Sequence, residues 1–261
     1  MKKKSRKPFV LVCVSGGCAH LAYHPRGVEV ACIDWDAFDW ATPEALPVTD
    51  KKKLRPHQTT AIEDVCRGLA TADRGKLIMA CGTGKTFTSL RLAEQLVGAG
   101  GSVLFLVPSI SLLSQTLREW ATEAEVPLAS LAVCSDRKAT ARSKATNEDI
   151  SAVDLALPST TNVAVLESRW TQAVGETDSM TVVFATYQSI DVVAQAQQQG
   201  DLPAFDLIVC DEAHRTTGTT LAGENESAFV RIHDASYIRG DKRLYMTATP
   251  RIYDDASKAK A

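Results

Sequence analysis

The chain has 261 residues, 45% hydrophobic and 23% charged, which suits one ordinary globular domain with a short appendage. Its 29 basic and 31 acidic residues leave a net charge of −2, so no global basic excess points to nucleic acid, and any such binding needs a local patch. No stretch approaches the roughly 20 apolar residues of a membrane span, and the seven cysteines, at 13, 18, 32, 66, 81, 134 and 210, include no C-x-x-C and read as small buried residues in a reducing compartment.

Lys2, Lys3, Lys4, Arg6 and Lys7 precede the apolar run 9–14, an arrangement that imitates a short secretory signal. The run sits at the short limit for a signal, and a basic start followed by a strand in a cytoplasmic protein is the reading adopted. Strands are expected at about 9–14 and 28–33, followed by an irregular linker with Trp35, Trp40, Pro43 and Pro47 that closes on Lys51-Lys52-Lys53. That lysine run reads as a solvated hinge. Cys13, Cys18, His20 and His24 match no strong zinc spacing. Residues 1–53 thus form an N-terminal segment and basic linker, a candidate remnant of an upstream domain.

From Leu54 the pattern alternates between helix and strand. A helix is predicted over 56–71, a strand over 76–80, a glycine turn over 82–84 and a helix over 86–97. A strand over 103–107 ends at Pro108, followed by a helix over 111–123 and a strand over 131–134. Residues 135–161 are polar, without a clean period, and read as a surface excursion. Residues 163–166 suit a strand, but Leu166, Trp170 and Val174 at four-residue spacing favour a helix. A strand over 182–186, a helix over 190–198, a strand over 207–210, a helix over 228–236 and a strand over 244–247 complete the series. Near-continuous apolar strands alternating with helices imply an α/β fold, a mostly parallel sheet covered by helices on both faces. Ligands in such sheets bind at the carboxyl ends of the strands, where the polar clusters 82–86, 211–214 and 248–250 fall.

Met79-Ala80-Cys81-Gly82-Thr83-Gly84-Lys85-Thr86 carries the strongest chemistry. Its glycines let backbone N–H groups turn inward around an anion. Lys85 places a charge at the β- and γ-phosphates of ATP, and Thr86 offers a hydroxyl to Mg²⁺ at the start of a helix. Met79 stands where the general phosphate-loop pattern has glycine. Asp211 and Glu212 close the apolar strand from Phe205. Asp211 suits the Mg²⁺ that bridges phosphates, and Glu212 suits the orientation or deprotonation of the attacking water. His214 reads as a link between this site and the rest of the molecule. In Leu54-Arg55-Pro56-His57-Gln58, Pro56 fits a helix start and the Gln58 amide suits an adenine edge. Thr247 and Thr249, in Leu244-Tyr245-Met246-Thr247-Ala248-Thr249-Pro250-Arg251, are placed to bond the acidic pair and sense the γ-phosphate.

Together these segments resemble superfamily 2 helicases and translocases, in family order over residues 54–252. Leu54–Gln58 looks like the adenine-reading motif, Met79–Thr86 like motif I, Val107-Pro108-Ser109 like motif Ia and Ala185-Thr186-Tyr187-Gln188-Ser189 like motif Ib. Asp211-Glu212-Ala213-His214 looks like motif II in its DEAH form, and Thr247–Thr249 like motif III. The runs Ala80–Thr86, Asp211–Gly218 and Tyr245–Arg251 are similar to the motor of type III-like restriction-modification enzymes. The resemblance implies a RecA-like P-loop domain that binds ATP and Mg²⁺. Its cofactor-binding residues would be Gln58, Gly82, Thr83, Gly84, Lys85 and Thr86, its metal residues Thr86 and Asp211, and its catalytic set Glu212, Asp211 and Lys85. It implies coupling through His214, Thr247 and Thr249, and contacts from Ser109, Thr186, Gln188 and Ser189 to the phosphates of duplex DNA. The remaining residues, 253–261, then form a tail where a second RecA-like domain would begin, and that domain is expected in another chain or lost by truncation. Three readings stay open: half of a DNA translocase that needs a second domain for turnover, a non-catalytic nucleotide- or DNA-binding module, and a truncated fragment.

Overall fold

The computed structural model describes residues 9–14, 29–34, 51–135, 159–174, 178–200, 202–217 and 229–249. Expectations for Cys18, His20, His24, most of the excursion 135–161, Pro250 and the tail 253–261 lie outside them.

Strands β1 (Phe9–Val14) and β2 (Glu29–Asp34) pair in parallel, close to the ranges predicted. The main body is a seven-stranded sheet, parallel in every pairing. Its strands are β3 (Arg74–Ile78), β4 (Ser102–Val107), β5 (Leu128–Val133), β6 (Ser159–Thr160), β7 (Met180–Thr186), β8 (Phe205–Cys210) and β9 (Gly240–Thr247), in the spatial order β3-β9-β8-β4-β7-β5-β6. The helices are α1 (Pro56–Leu69), α2 (Lys85–Leu96), α3 (Ile110–Glu123), α4 (Val163–Val174) and α5 (Ile190–Gln199). The ambiguous stretch at 163 is therefore helical.

β4 shows why both faces are covered. All six of its residues are buried, and successive side chains point to opposite faces. Val103, Phe105 and Val107 join Ile62, Leu90, Leu117 and Trp120 of α1, α2 and α3 in one core. Leu104 and Leu106 join Leu166, Trp170 and Ile190 of α4 and α5 in the other. At the centre of the first core, Trp120 meets Phe105 and Phe184 edge-on, with ring centroids 5.1 and 5.6 Å apart.

Two expectations are corrected and two are refined. The helix predicted over 228–236 is, among the described residues, a single 3-10 turn at Arg231–His233. Asp234 accepts the Ser236 N–H at 2.8 Å and its hydroxyl at 2.7 Å, a local turn that competes with helix propagation. Met79, off-pattern for a phosphate loop, is buried in the core, and its N–H donates to Thr247 O at 3.1 Å, so it extends β3 toward β9. The cysteines are not uniformly buried: Cys134 and Cys210 are, Cys66 is half-buried, and Cys81 is exposed. Finally, the Lys51-Lys52 run is exposed, as expected of a solvated hinge, but it also makes specific contacts to α3. Lys52 N–H donates to Glu123 at 2.7 Å, its ammonium to Glu119 at 2.9 Å, and Lys51 reaches Ala124 O, all at the end of α3. No helix among the described residues is long and apolar enough to cross a membrane.

Candidate active site

The register aligns the carboxyl ends of five neighbouring strands. Ile78 pairs with Thr247, Tyr245 with Cys210, Cys210 with Leu106, and Val107 with Thr186. Along this single edge the sequence places, in spatial order, the glycine loop after β3, Thr247 at the end of β9 with Thr249 just beyond it, Asp211 and Glu212 after β8, Ser109 after β4 and Gln188 after β7. Strands lie about 4.8 Å apart, so the loop and the carboxylates are separated by roughly 10 Å at the backbone, a span that a lysine and a triphosphate bridge.

The loop is shaped for an anion. Gly82 and Gly84 have φ of 75° and 85°, in the left-handed region that lets the backbone curl without steric cost. Gly84 also precedes the first turn of α2, whose unpaired N–H groups and dipole favour negative charge. A Cβ at Gly84 would lie 2.5 Å from Gln58 Nε2. That contact locates Gln58: its Nε2 donates to Thr83 O at 3.2 Å and Gly84 O at 3.4 Å, while its Oε1 accepts the Arg55 N–H at 2.9 Å. His57 Nε2 lies 3.2 Å from the same Thr83 carbonyl. In this structure the Gln58 amide therefore braces the glycine loop. Thr86 opens α2, and its carbonyl accepts the Ser89 hydroxyl at 2.7 Å and the indole N–H of buried Trp120 at 3.1 Å.

A cleft of about 480 Å³ opens between α1 and α2, bordered by Leu54, Ile62, Glu63, Arg91, Glu94 and Glu125. Arg91 is already paired with Glu94 and Glu125, so this wall repels phosphates and is distinct from the glycine loop.

Asp211 is 7% exposed. Burial, and secondarily the charge of Glu212, push its carboxyl from 3.8 up to about 6, against the opposing pull of the Glu212 N–H and Lys85. Lys85 is thus close enough for its charge to be felt at the Asp211 carboxyl. Glu212 has φ of 50°, in the left-handed region, which costs about 1–2 kcal/mol for a non-glycine residue. Its carboxylate lies 3.2 Å from His214 Nδ1. That nitrogen also lies 3.1 Å from Thr247 Oγ1 and 3.3 Å from Thr249 Oγ1, and Thr247 Oγ1 accepts the Thr249 N–H at 3.1 Å. His214, Thr247 and Thr249 are thus joined to Glu212 in one cluster.

A magnesium–triphosphate fits these residues. A carboxyl raised by burial, and further by a like-charged neighbour, gains from a divalent cation beside it, and a lysine and a helix start lie on the same edge. The candidates at the far end of the edge fare unevenly. Ser109 is exposed, caps α3 and accepts the Leu112 N–H at 3.3 Å. Gln188 is exposed, and its amide donates to Pro108 O at 3.4 Å. Thr186 and Ser189 are buried, and their hydroxyls bond each other at 3.2 Å. Their side chains are therefore turned away from any strand lying on this surface.

Sequence reasoning missed two partners of the site. Trp120 bonds the first turn of α2, and Tyr187 donates its hydroxyl to Asp211 O at 2.8 Å. Burial holds the Tyr187 phenol well above its ordinary range, so it is a neutral donor. Neither carries a local signal, because each reaches a partner distant in sequence, Trp120 from the neighbouring helix and Tyr187 from a strand two places away.

The chain matches the sequence profile of the family described as "Type III restriction enzyme, res subunit" over residues 51–252. It is 31% identical over 235 residues to "Probable helicase A859L" of African swine fever virus, an alignment covering 90% of this chain and 23% of that protein. Among solved structures it is similar to the ATP-dependent Type ISP restriction-modification enzyme LlaBIII bound to DNA, at 44% identity and a TM-score of 0.70, over 88% of this chain and 15% of that one. A nuclease-deletion mutant of the Type ISP enzyme LlaGI in complex with a DNA substrate mimic gives 43% identity and a TM-score of 0.61, over 77% of this chain and 18% of that one. The Pyrococcus furiosus Hef helicase domain shares the fold, at 19% identity and a TM-score of 0.50, over 78% of this chain and 35% of that one. The chain spans 23% of the length of the viral relative. With its seven-stranded parallel sheet, it belongs to the type III restriction enzyme res-subunit family and carries the RecA-like domain of a superfamily 2 helicase.

Proposed function

We propose that this domain is the ATP-binding half of a cytoplasmic, DNA-stimulated translocase of restriction-modification type, which turns over only against a second RecA-like domain. The observation that carries the reading is the convergence, on one carboxyl edge, of Lys85, of Asp211 under the electrostatic influence of Lys85, and of Glu212 joined to His214, Thr247 and Thr249. In this reading Gly82, Thr83 and Gly84 wrap the phosphates, Lys85 neutralises their charge, and Thr86 and Asp211 hold magnesium. The chemistry a bound magnesium supplies is charge neutralisation on the β- and γ-phosphate oxygens. Glu212 holds the attacking water and takes its proton. His214 reports the state of Glu212 to the hydroxyls of Thr247 and Thr249. Gln58 faces the adenine once it leaves the loop carbonyls. Ser109 and Gln188, the exposed members of the far group, meet the phosphates of duplex DNA, in line with the DNA complexes of the Type ISP neighbours.

The test compares ATP binding and hydrolysis, with and without duplex DNA, for this chain and for Lys85→Ala. The chain is expected to bind Mg-ATP and hydrolyse it slowly. Lys85→Ala is expected to lose about 10–100-fold in affinity, the loss of a charge-assisted bond of roughly 1.5–3 kcal/mol. Equal nucleotide affinity in the two proteins sinks the reading, and brisk DNA-stimulated turnover by this chain alone sinks the need for a second domain.

A further inference from the structure

We propose that Tyr187 is a positioning residue whose hydroxyl fixes the peptide joining Asp211 to Glu212, and so ties the turn after β7 to the two carboxylates. The proposal deepens the reading above, since it rests on Asp211 and Glu212 being the metal-holding and water-orienting pair.

The Asp211–Glu212 peptide is gripped at both ends. Its carbonyl accepts the Tyr187 hydroxyl at 2.8 Å, and its N–H donates to Asp211 Oδ1 at 2.9 Å. Flanking peptides are anchored as well: Asp211 N–H donates to Leu106 O and Arg215 N–H to Glu212 O, each at 2.9 Å. Of these bonds, the one from Tyr187 alone comes from a side chain outside the 211–215 segment. The peptide leads into the left-handed Glu212, with φ of 50°. Strained backbone of this kind persists only where its surroundings over-determine it. Rotation of the peptide would relieve Glu212 and swing its carboxylate away from His214, but it would strand the buried carbonyl without its donor. The hydroxyl therefore blocks the relaxation.

Tyr187 itself is held. It is 0% exposed, and its ring packs on Phe229 with centroids 4.7 Å apart. It begins the 3-10 turn Tyr187–Ser189, directly beside exposed Gln188. β7 is separated from β8 by β4 in the sheet, so the phenol reaches across an intervening strand to join the outer turn to the carboxylate pair. A displacement of the turn by a bound strand reaches Glu212 through one side chain.

The test uses the full chain and Tyr187→Phe, which keeps the ring and deletes the hydroxyl. Hydrogen exchange at the Glu212 amide is expected to quicken by about tenfold, the consequence of losing one buried hydrogen bond, while exchange in β4 and β8 stays unchanged. Affinity for a fluorescent ADP analogue is expected to weaken by a similar factor in magnesium and not in EDTA. Tyr245→Phe, which removes a hydroxyl that bonds His233, should leave both readouts alone. If Tyr187→Phe does not fold, Phe229→Leu loosens the same ring and should give a smaller acceleration at Glu212. Unchanged Glu212 exchange in the variant that folds overturns the proposal. Failure of nucleotide binding in the parent chain counts against the nucleotide site instead, because the exchange readout needs no ligand.

Discussion

Asp211→Asn is expected to stabilise the ligand-free chain while disabling it. In the folded state the Asp211 carboxyl is raised from 3.8 to about 6. The folded chain therefore binds this proton more tightly than the unfolded chain, and stability falls as pH rises through that window. Below about pH 4 the contribution is fully present, and above about pH 6 it is lost. The difference of roughly two units corresponds to about 3 kcal/mol at 1.36 kcal/mol per unit. Asparagine keeps the oxygen that accepts the Glu212 N–H and cannot ionise, so it avoids most of this penalty at pH 8. A gain of about 2 kcal/mol in a domain of this size raises Tm by roughly 4–8 °C.

The assay is thermal unfolding of both proteins in EDTA at pH 8 and again at pH 5, where the gap should narrow because the parent is largely protonated. Saturating Mg-nucleotide should reverse the order. Ligand at 100 times its Kd stabilises the parent by about 2.7 kcal/mol, and the variant, lacking the metal-holding carboxylate, gains little. The reasoning fails if Asp211→Asn is no more stable than the parent at pH 8 without metal, or if its advantage is the same at both pH values.

Gly84→Ala forces a side chain onto φ of 85° and against Gln58 Nε2 at 2.5 Å; a stability loss of about 1–3 kcal/mol is expected, read by chemical denaturation, together with weakened nucleotide binding. Trp120→Phe keeps the aromatic packing and deletes the N–H that reaches Thr86 O; a loss of about 1 kcal/mol should appear as a Tm drop in the same thermal assay, and an unchanged Tm argues against that bond. Cys81 is exposed in the glycine loop while Cys134 and Cys210 are buried, and burial pushes the Cys210 thiol up to about 12. Brief alkylation read by peptide mass spectrometry should mark Cys81 ahead of Cys134 and Cys210, and Mg-ATP should protect it.

The sheet was legible because its signal is redundant. Runs such as Val103–Val107 and Val182–Thr186 are short, rich in β-branched residues and apolar without alternation, as a strand covered on both faces is, and the polar clusters fall just after them. The placement of the glycine loop and of Asp211–Glu212 on one edge was legible for the same reason: the polar clusters and the strand ends coincide. What stayed hidden depends on contacts distant in sequence or on backbone conformation. The aspartate turn at Asp234–Ser236 ended a helix that periodicity favoured. The two-residue strand β6 carries too little pattern to show. Thr186 and Ser189 read as exposed polar residues, yet they satisfy each other in a buried turn. The left-handed Glu212 and its phenolic brace leave no mark in composition or spacing.

The order of strands explains the order of the chemistry. β9 lies between the strand that carries the glycine loop and the strand that carries the carboxylates, so Thr247 and Thr249 sit where they bond His214 and face both. Two costs among the described residues, a raised buried carboxyl at Asp211 and a left-handed backbone at Glu212, fall on adjacent positions after β8. A fold selected for stability alone would place neither there, since asparagine removes the first and glycine the second. Local rules broken at neighbouring positions, and braced by a tyrosine from beyond the next strand, are what the function proposed above expects of a place where the sequence serves chemistry over stability.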